Sequence, residues 1–141
     1  MPTETLSAAY DIRQPDAHVI ANDQEALEVA HQVAALLREG AAERDRRREV
    51  PADVVDAYSN SGLWGITVPR AHGGAEVSYA TLAQVIAIVS AADPSLGQIP
   101  QNHYCLLEDI RLQGSDAQKQ FFFDLALSLI HISEPTRQEA I

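Results

Sequence analysis

Cysteine, basic charge and long apolar runs are scarce in this sequence, and each scarcity excludes something. A single cysteine, Cys105, rules out an internal disulfide and fits a reducing compartment. Ten Lys and Arg against twenty Asp and Glu leave a net charge of −10, whereas nucleic acids and anionic membranes are bound through basic surface. The one basic cluster, Arg46-Arg47-Arg48, is flanked by Glu43, Asp45 and Glu49 and reads as a solvated helix face. No run approaches the roughly 18 apolar residues of a membrane span. The first residues lack the basic region and apolar core of a signal peptide. These absences predict a cytoplasmic protein with no nucleic-acid and no membrane partner.

Familiar catalytic signatures are missing as well. There is no Walker loop, no dinucleotide glycine fingerprint after a strand and no Gly-x-Ser-x-Gly elbow. His18, His31, His72, His103 and His131 show no metal-ligand spacing, so no metal site is expected. Cys105, beside Leu106 and Leu107, reads as a buried, inert thiol.

What is present is helical periodicity. At 141 residues, with 46% hydrophobic and 21% charged residues, the chain has the size and composition of one soluble domain. Met1 to Ile20 has no period and is expected to form a loose arm. Asn22 to Glu25 has the spacing of a capping box, and Leu27, Ala30, Val33, Ala34 and Leu37 then mark one apolar face. That helix is expected to continue to Arg48, although Gly40 weakens it. Pro51 suits the first turn of a second helix, with Val54, Val55, Tyr58 and Leu63 as core contacts and Gly62 as a left-handed cap. Leu63 to Val68, closed by Pro69, reads as a buried turn.

Ser78 caps a third helix running to Ala92, apolar on nearly every side and so expected to be central and buried on most sides. Asp93-Pro94 breaks it. Ser95 is a cap candidate for a fourth helix, either kinked at Pro100 or regular only beyond it. Cys105, Leu106, Ile110 and Leu112 are its expected apolar contacts, and Gly114 ends it. Ser115 to Gln118 is a second capping box opening a fifth helix through Phe121, Phe122, Phe123 and Leu125. The fold class is all-α, a helical bundle.

Two stretches carry the functional reading. His72-Gly73-Gly74 reads as a tight interhelical connection, with backbone approach to a flat ring or a phosphate as the alternative. Ser95 to His103 packs Gln98, Gln101, Asn102 and His103 into an otherwise apolar setting. Gln98 and Asn102 are four apart and share a helix face. Such amides need partners, either in the protein or in a ligand. His103 is the nearby group that titrates near neutral pH. Gln98, Asn102 and His103 are therefore the candidate substrate-pocket residues.

The order buried turn, Pro-x-x-x-Gly-Gly loop, apolar helix, Asp93-Pro-Ser-Leu-Gly and second helix, over Gly62 to Gly114, resembles the N-terminal helical domain of acyl-CoA dehydrogenase-type flavoproteins. Within that superfamily it is most similar to sulfur acquisition oxidoreductases, near the dibenzothiophene monooxygenases. The resemblance covers about Ala21 to Ala126. It implies FAD or FMN in the full-length enzyme, none bound by this chain alone, a small-molecule substrate and a homo-tetramer. It also implies that the helix carrying Ser95 to His103 lines the cavity above the flavin. The family's catalytic carboxylate and isoalloxazine contacts come from later domains, so no catalytic residue and no cofactor-binding residue is carried over. Sulfoxidising members place a His and a Tyr where this chain has Gln98 and Asn102, and an amide pair is a poor proton donor, which counts against a monooxygenase. The readings left standing are a dehydrogenase-type fragment, a reduced-flavin monooxygenase fragment and a stand-alone helical interaction module.

Leu127 to Arg137 resembles a translated sequencing-library adapter, with Gln138 to Ile141 as index sequence. The expected organisation is thus an arm over 1–20, the helical domain over 21–126 and a non-native tail over 127–141.

Overall fold

The structure, a computed structural model, describes residues 18–49 and 52–128. Among them are six α-helices and no strand: α1 (Asp23–Arg38), α2 (Ala41–Arg47), α3 (Ala52–Asn60), α4 (Tyr79–Ala92), α5 (Pro94–Gln113) and α6 (Asp116–Leu127). Two 3-10 turns, Leu63–Gly65 and Arg70–His72, lie between α3 and α4. The all-α expectation holds.

Local chemistry accounts for most helix ends. Asn22 Oδ1 accepts from the Glu25 amide at 2.9 Å and starts α1. The Glu25 carboxylate reaches back to the Ala21 amide at 2.7 Å, one residue before the cap where a capping box would place it. Ser78 Oγ accepts from the Thr81 amide at the start of α4, and Ser115 with Gln118 forms the expected capping box of α6. The first helix does not continue to Arg48. Glu39 and Gly40 turn the chain, with Gly40 at a φ of 75° that favours glycine, and the short α2 follows. On α2, Glu43 pairs with the exposed Arg46 and Arg47 at 2.7 and 2.6 Å, a solvated face as read from the sequence.

The main core is built from α1 and α4, closed by α3, α5 and the first 3-10 turn. Ala26, Ala30, Val33, Ala34 and Leu37 of α1 meet Val85, Val89 and Ala92 of α4, with Tyr58, Leu63, Ile66, Leu96 and Tyr104. A second cluster joins Val68 to Leu107 of α5 and to Phe123 and Ala126 of α6. The stretch Leu63 to Val68 is the buried turn the sequence predicts, with Leu63, Ile66 and Val68 fully enclosed. Polar ties connect the helix starts. Asp23 Oδ2 accepts from the Ser78 amide, from Ser78 Oγ and from Thr81 Oγ1 at 3.1, 3.0 and 2.7 Å, binding α1 to α4.

One further expectation is corrected, and others lie largely outside the described residues. α4 is buried along Thr81, Val85, Val89 and Ala92, but Ala83, Ala87 and Ala91 face solvent, so it is not enclosed on most sides. Most of its outer side is alanine, which a composition reading cannot assign to one face. The arm expected over 1–20 lies outside the described residues as far as Ala17, but Ile20 is buried in the main core. Pro51 also lies outside them. α6 runs to Leu127, which packs half-buried on the second cluster; the remaining expected tail, 129–141, lies outside the described residues.

Candidate functional site

The candidate residues belong to α5, and its start explains where they point. Asp93 caps it, with Oδ1 accepting from the Ser95 and Leu96 amides at 3.0 and 3.3 Å. Pro94 takes the first helical position, where its missing N–H costs nothing. The cap is therefore Asp93 and not Ser95. Asp93 Oδ2 also accepts from Arg44 Nη2 at 2.9 Å, and Arg44 further donates to the carbonyls of Leu37 and Glu39 at the end of α1. One buried ion pair thus joins the end of α1 to the start of α5. α5 is a single helix through Pro100, so it is not regular only beyond that residue.

The inward face of α5 is Leu96, Gly97, Pro100, Tyr104 and Leu107, at steps of three and four. Tyr104 donates its hydroxyl to the Leu63 carbonyl at 2.7 Å. The Tyr104 oxygen lies 2.9 Å from that of Tyr58, which must supply the proton between them because Tyr104's own is committed. Burial pushes both phenols well above their ordinary range, so the pair is neutral.

His103 lies 2.7 Å, through Nε2, from the Trp64 carbonyl. A carbonyl only accepts, so Nε2 carries the hydrogen. Its ring stands edge-on to Trp64 at 4.8 Å. Burial holds the imidazole below its ordinary pKa, opposed in part by the hydrogen bond to the carbonyl. His103 thus ties α5 to the Trp64 turn through Nε2, whereas the two amides with which the sequence grouped it are exposed.

Gln98 and Asn102 do share a face. They stand one turn apart on the solvent side of α5, beside Ile99 and Leu106, which are 44% and 63% exposed. Neither amide has a hydrogen-bond partner among the described residues. The sequence left open whether the protein satisfies them; among these residues it does not. Cys105 is also exposed, a correction. It follows Tyr104 by about 100° of helix, which carries it off the inward face. Leu106 and Leu112 leave the core for the same reason, and Tyr104 and Leu107 take the places expected of them.

The glycine loop is a connection. The Gly73 and Gly74 amides donate to the Arg70 and Pro69 carbonyls at 3.0 and 3.1 Å. A Cβ on Gly74 would stand 2.1 Å from the Val68 carbonyl oxygen, so its close approach is to its own chain. His72 packs on Phe123 at 4.9 Å.

A flavin or a substrate asks two things of such a face. Exposed amides beside apolar side chains suit the edge of a flat polar ring or a neutral polar group. A phosphate asks for cations, and α4 and α5 together carry one Lys or Arg, Arg111, already bound to Glu108 through both oxygens at 2.6 and 2.9 Å. This face can line a cavity but does not grip a phosphate. Among the described residues no helix is long and apolar enough to cross a membrane.

Comparison with known proteins agrees with this architecture. Residues 22–128 match the family model described as acyl-CoA dehydrogenase, N-terminal domain. A protein of Pseudomonas putida named as a probable FMNH2-dependent monooxygenase is 30% identical over 99 residues, covering 70% of this chain and 25% of the relative. Dibenzothiophene monooxygenase of Rhodococcus erythropolis is 32% identical over 103 residues, covering 73% and 25%. The 3-sulfinopropanoyl-CoA desulfinase of Paraburkholderia xenovorans is 34% identical over 100 residues, covering 67% and 26%. The chain thus spans about a quarter of the length of these relatives. No solved structure gives a significant match.

Proposed function

Because the chain belongs to the acyl-CoA dehydrogenase family through its N-terminal domain, we propose that it forms one wall of the substrate cavity in a flavin-dependent oxidoreductase. Gln98 and Asn102 are the contacts to substrate. The observation that carries this is their position: two amides one turn apart, facing solvent, without a partner among the described residues, beside Ile99 and Leu106. An amide both donates and accepts, so the pair suits a carbonyl or hydroxyl group of a small molecule. Neither side chain ionises near neutral pH, so they bind and orient, and any proton the reaction needs comes from elsewhere in the polypeptide. The flavin, FAD or FMN, supplies the redox chemistry when bound, and its phosphate is held by other domains.

The relatives' names support a sulfur compound as substrate, since two of the three carry sulfur in the molecule named. They also favour a second reading, a reduced-flavin monooxygenase, because two are named monooxygenases. The absence of an ionisable group at positions 98 and 102 weighs against it. The acidic chain and its single cysteine support a cytoplasmic enzyme with no nucleic-acid or membrane partner, and we place it in a homo-tetramer.

The test is a full-length enzyme that contains this domain. Purified, it is expected to retain flavin absorbance, and titration of the stripped protein with FAD and FMN identifies which is bound. Substrate-dependent oxygen consumption with reduced flavin supports the monooxygenase reading. A folded product that takes up neither flavin overturns the proposal and leaves the stand-alone interaction module.

A further inference from the structure

α5 is held at two places on its inward side, and the exposed amides lie between them. Near its start, a Cβ on Gly97 would stand 2.1 Å from Ser90 Oγ and 2.8 Å from Ser90 Cα, so here the backbone of α5 lies directly against α4. Farther along, two consecutive side chains take two consecutive carbonyls of the first 3-10 turn. His103 donates to Trp64 and Tyr104 donates to Leu63, each at 2.7 Å.

The gripped turn is itself anchored on α3. Trp64 Nε1 donates to Ser59 Oγ at 3.1 Å, and Ser59 Oγ donates to the Val55 carbonyl at 2.9 Å. The Trp64 ring meets Tyr58 edge-on at 5.0 Å. Consecutive helical residues project about 100° apart. Rotating α5 to relieve one of the two bonds therefore breaks the other, and a slide of one residue loses both donors.

We propose that His103 is a positioning residue whose bond to the Trp64 carbonyl, together with that of Tyr104, fixes the rotation of α5 and hence the direction in which Gln98 and Asn102 face. The clamp matters to a ligand only if those amides meet one, as proposed above. Its effect on α5 is measurable with no ligand present. A helix locked in rotation presents both amides in one fixed orientation, which spares a ligand the cost of ordering them.

Amide hydrogen exchange along the 141-residue chain tests the clamp in His103→Leu, His103→Gln and Tyr104→Phe. Glutamine places an N–H donor near the site of the imidazole Nε2, and leucine does not. His103→Leu is expected to speed exchange between Gln98 and His103 about three- to tenfold beyond any change in α4. His103→Gln is expected to remove most of that excess. A uniform rise along the chain, or no local excess, would show a merely structural histidine and overturn the proposal.

Should His103→Leu not fold, Tyr104→Phe carries the test. It removes one hydroxyl and keeps the ring. Local excess at 98–103 supports the clamp, and its absence overturns it. Unaltered substrate binding in Gln98→Ala of the longer enzyme would refute the ligand reading and leave the exchange result standing, so the two failures are distinguishable.

Discussion

Leu96, Pro100, Tyr104 and Leu107 line one side of α5 and are buried, while Gln98, Ile99, Asn102 and Leu106, drawn from the same turns, face solvent. The inward side has its polar atoms matched: the Tyr104 hydroxyl and the His103 imidazole both end on carbonyls of one turn. The outward side carries Gln98 and Asn102, with no partner among the described residues, beside Ile99 and Leu106 in water. A helix stabilised from one side alone can present the other without depending on it for folding. Substitutions on the two faces should therefore separate stability from binding.

The largest expected effect is on the inward face. Tyr104→Ala removes a buried ring and the bonds to Leu63 and Tyr58, and is expected to cost about 3–5 kcal/mol, read as a lower urea midpoint at unchanged slope. A loss below about 1 kcal/mol would break the comparison. Next comes the start of the helix. Asp93→Ala strips the cap and leaves Arg44 without its buried partner, for about 3 kcal/mol in the same measurement. Replacing Arg44 by Met at the same time should cost less than removing Asp93 alone, because no buried charge is left unpaired.

Protonation sharpens the contrast. Burial holds His103 in the folded chain below the value of about 6.5 that it takes when unfolded. Above that pH neither state binds the proton and its contribution to stability is complete. As pH falls below about 6.5 the unfolded chain takes up a proton that the folded chain refuses. Stability then declines toward the folded pKa, by at most about 1.4 kcal/mol per pH unit. The wild-type profile compared with that of His103→Gln isolates this loss, and identical acid slopes would contradict it. The smallest effect is on the outer face, where Gln98→Ala and Asn102→Ala should each change stability by less than about 0.5 kcal/mol.

The sequence showed what local chemistry decides. Caps at Asn22, Ser78 and Ser115, the left-handed Gly62 and the buried Leu63 to Val68 are written within a few residues of where they act. Errors came where an element's fate depends on distant partners or on rotation. Asp93-Pro94 does end α4 as read, but the cap of α5 is Asp93 rather than Ser95, and the Arg44 pairing that fixes it is 49 residues away. His103 is tied through Nε2 to Trp64, 39 residues earlier, a partner that no local pattern reveals. The stripe Leu96, Pro100, Tyr104, Leu107 was present in the sequence at helical spacing and would have placed Cys105 and Leu106 outside, had Tyr104 been counted with the core. The alanines of α4 gave no such clue, since alanine is tolerated equally inside and out.

The most direct measurement is a paired reading on the full-length enzyme, with thermal midpoint and steady-state kinetics determined for Gln98→Ala and Asn102→Ala. The predicted result is an unchanged midpoint with a substrate KM raised about three- to tenfold, the worth of one lost hydrogen bond. A midpoint that falls while KM and turnover stay at wild-type values would show that the outer face of α5 serves folding, and would contradict its assignment to substrate.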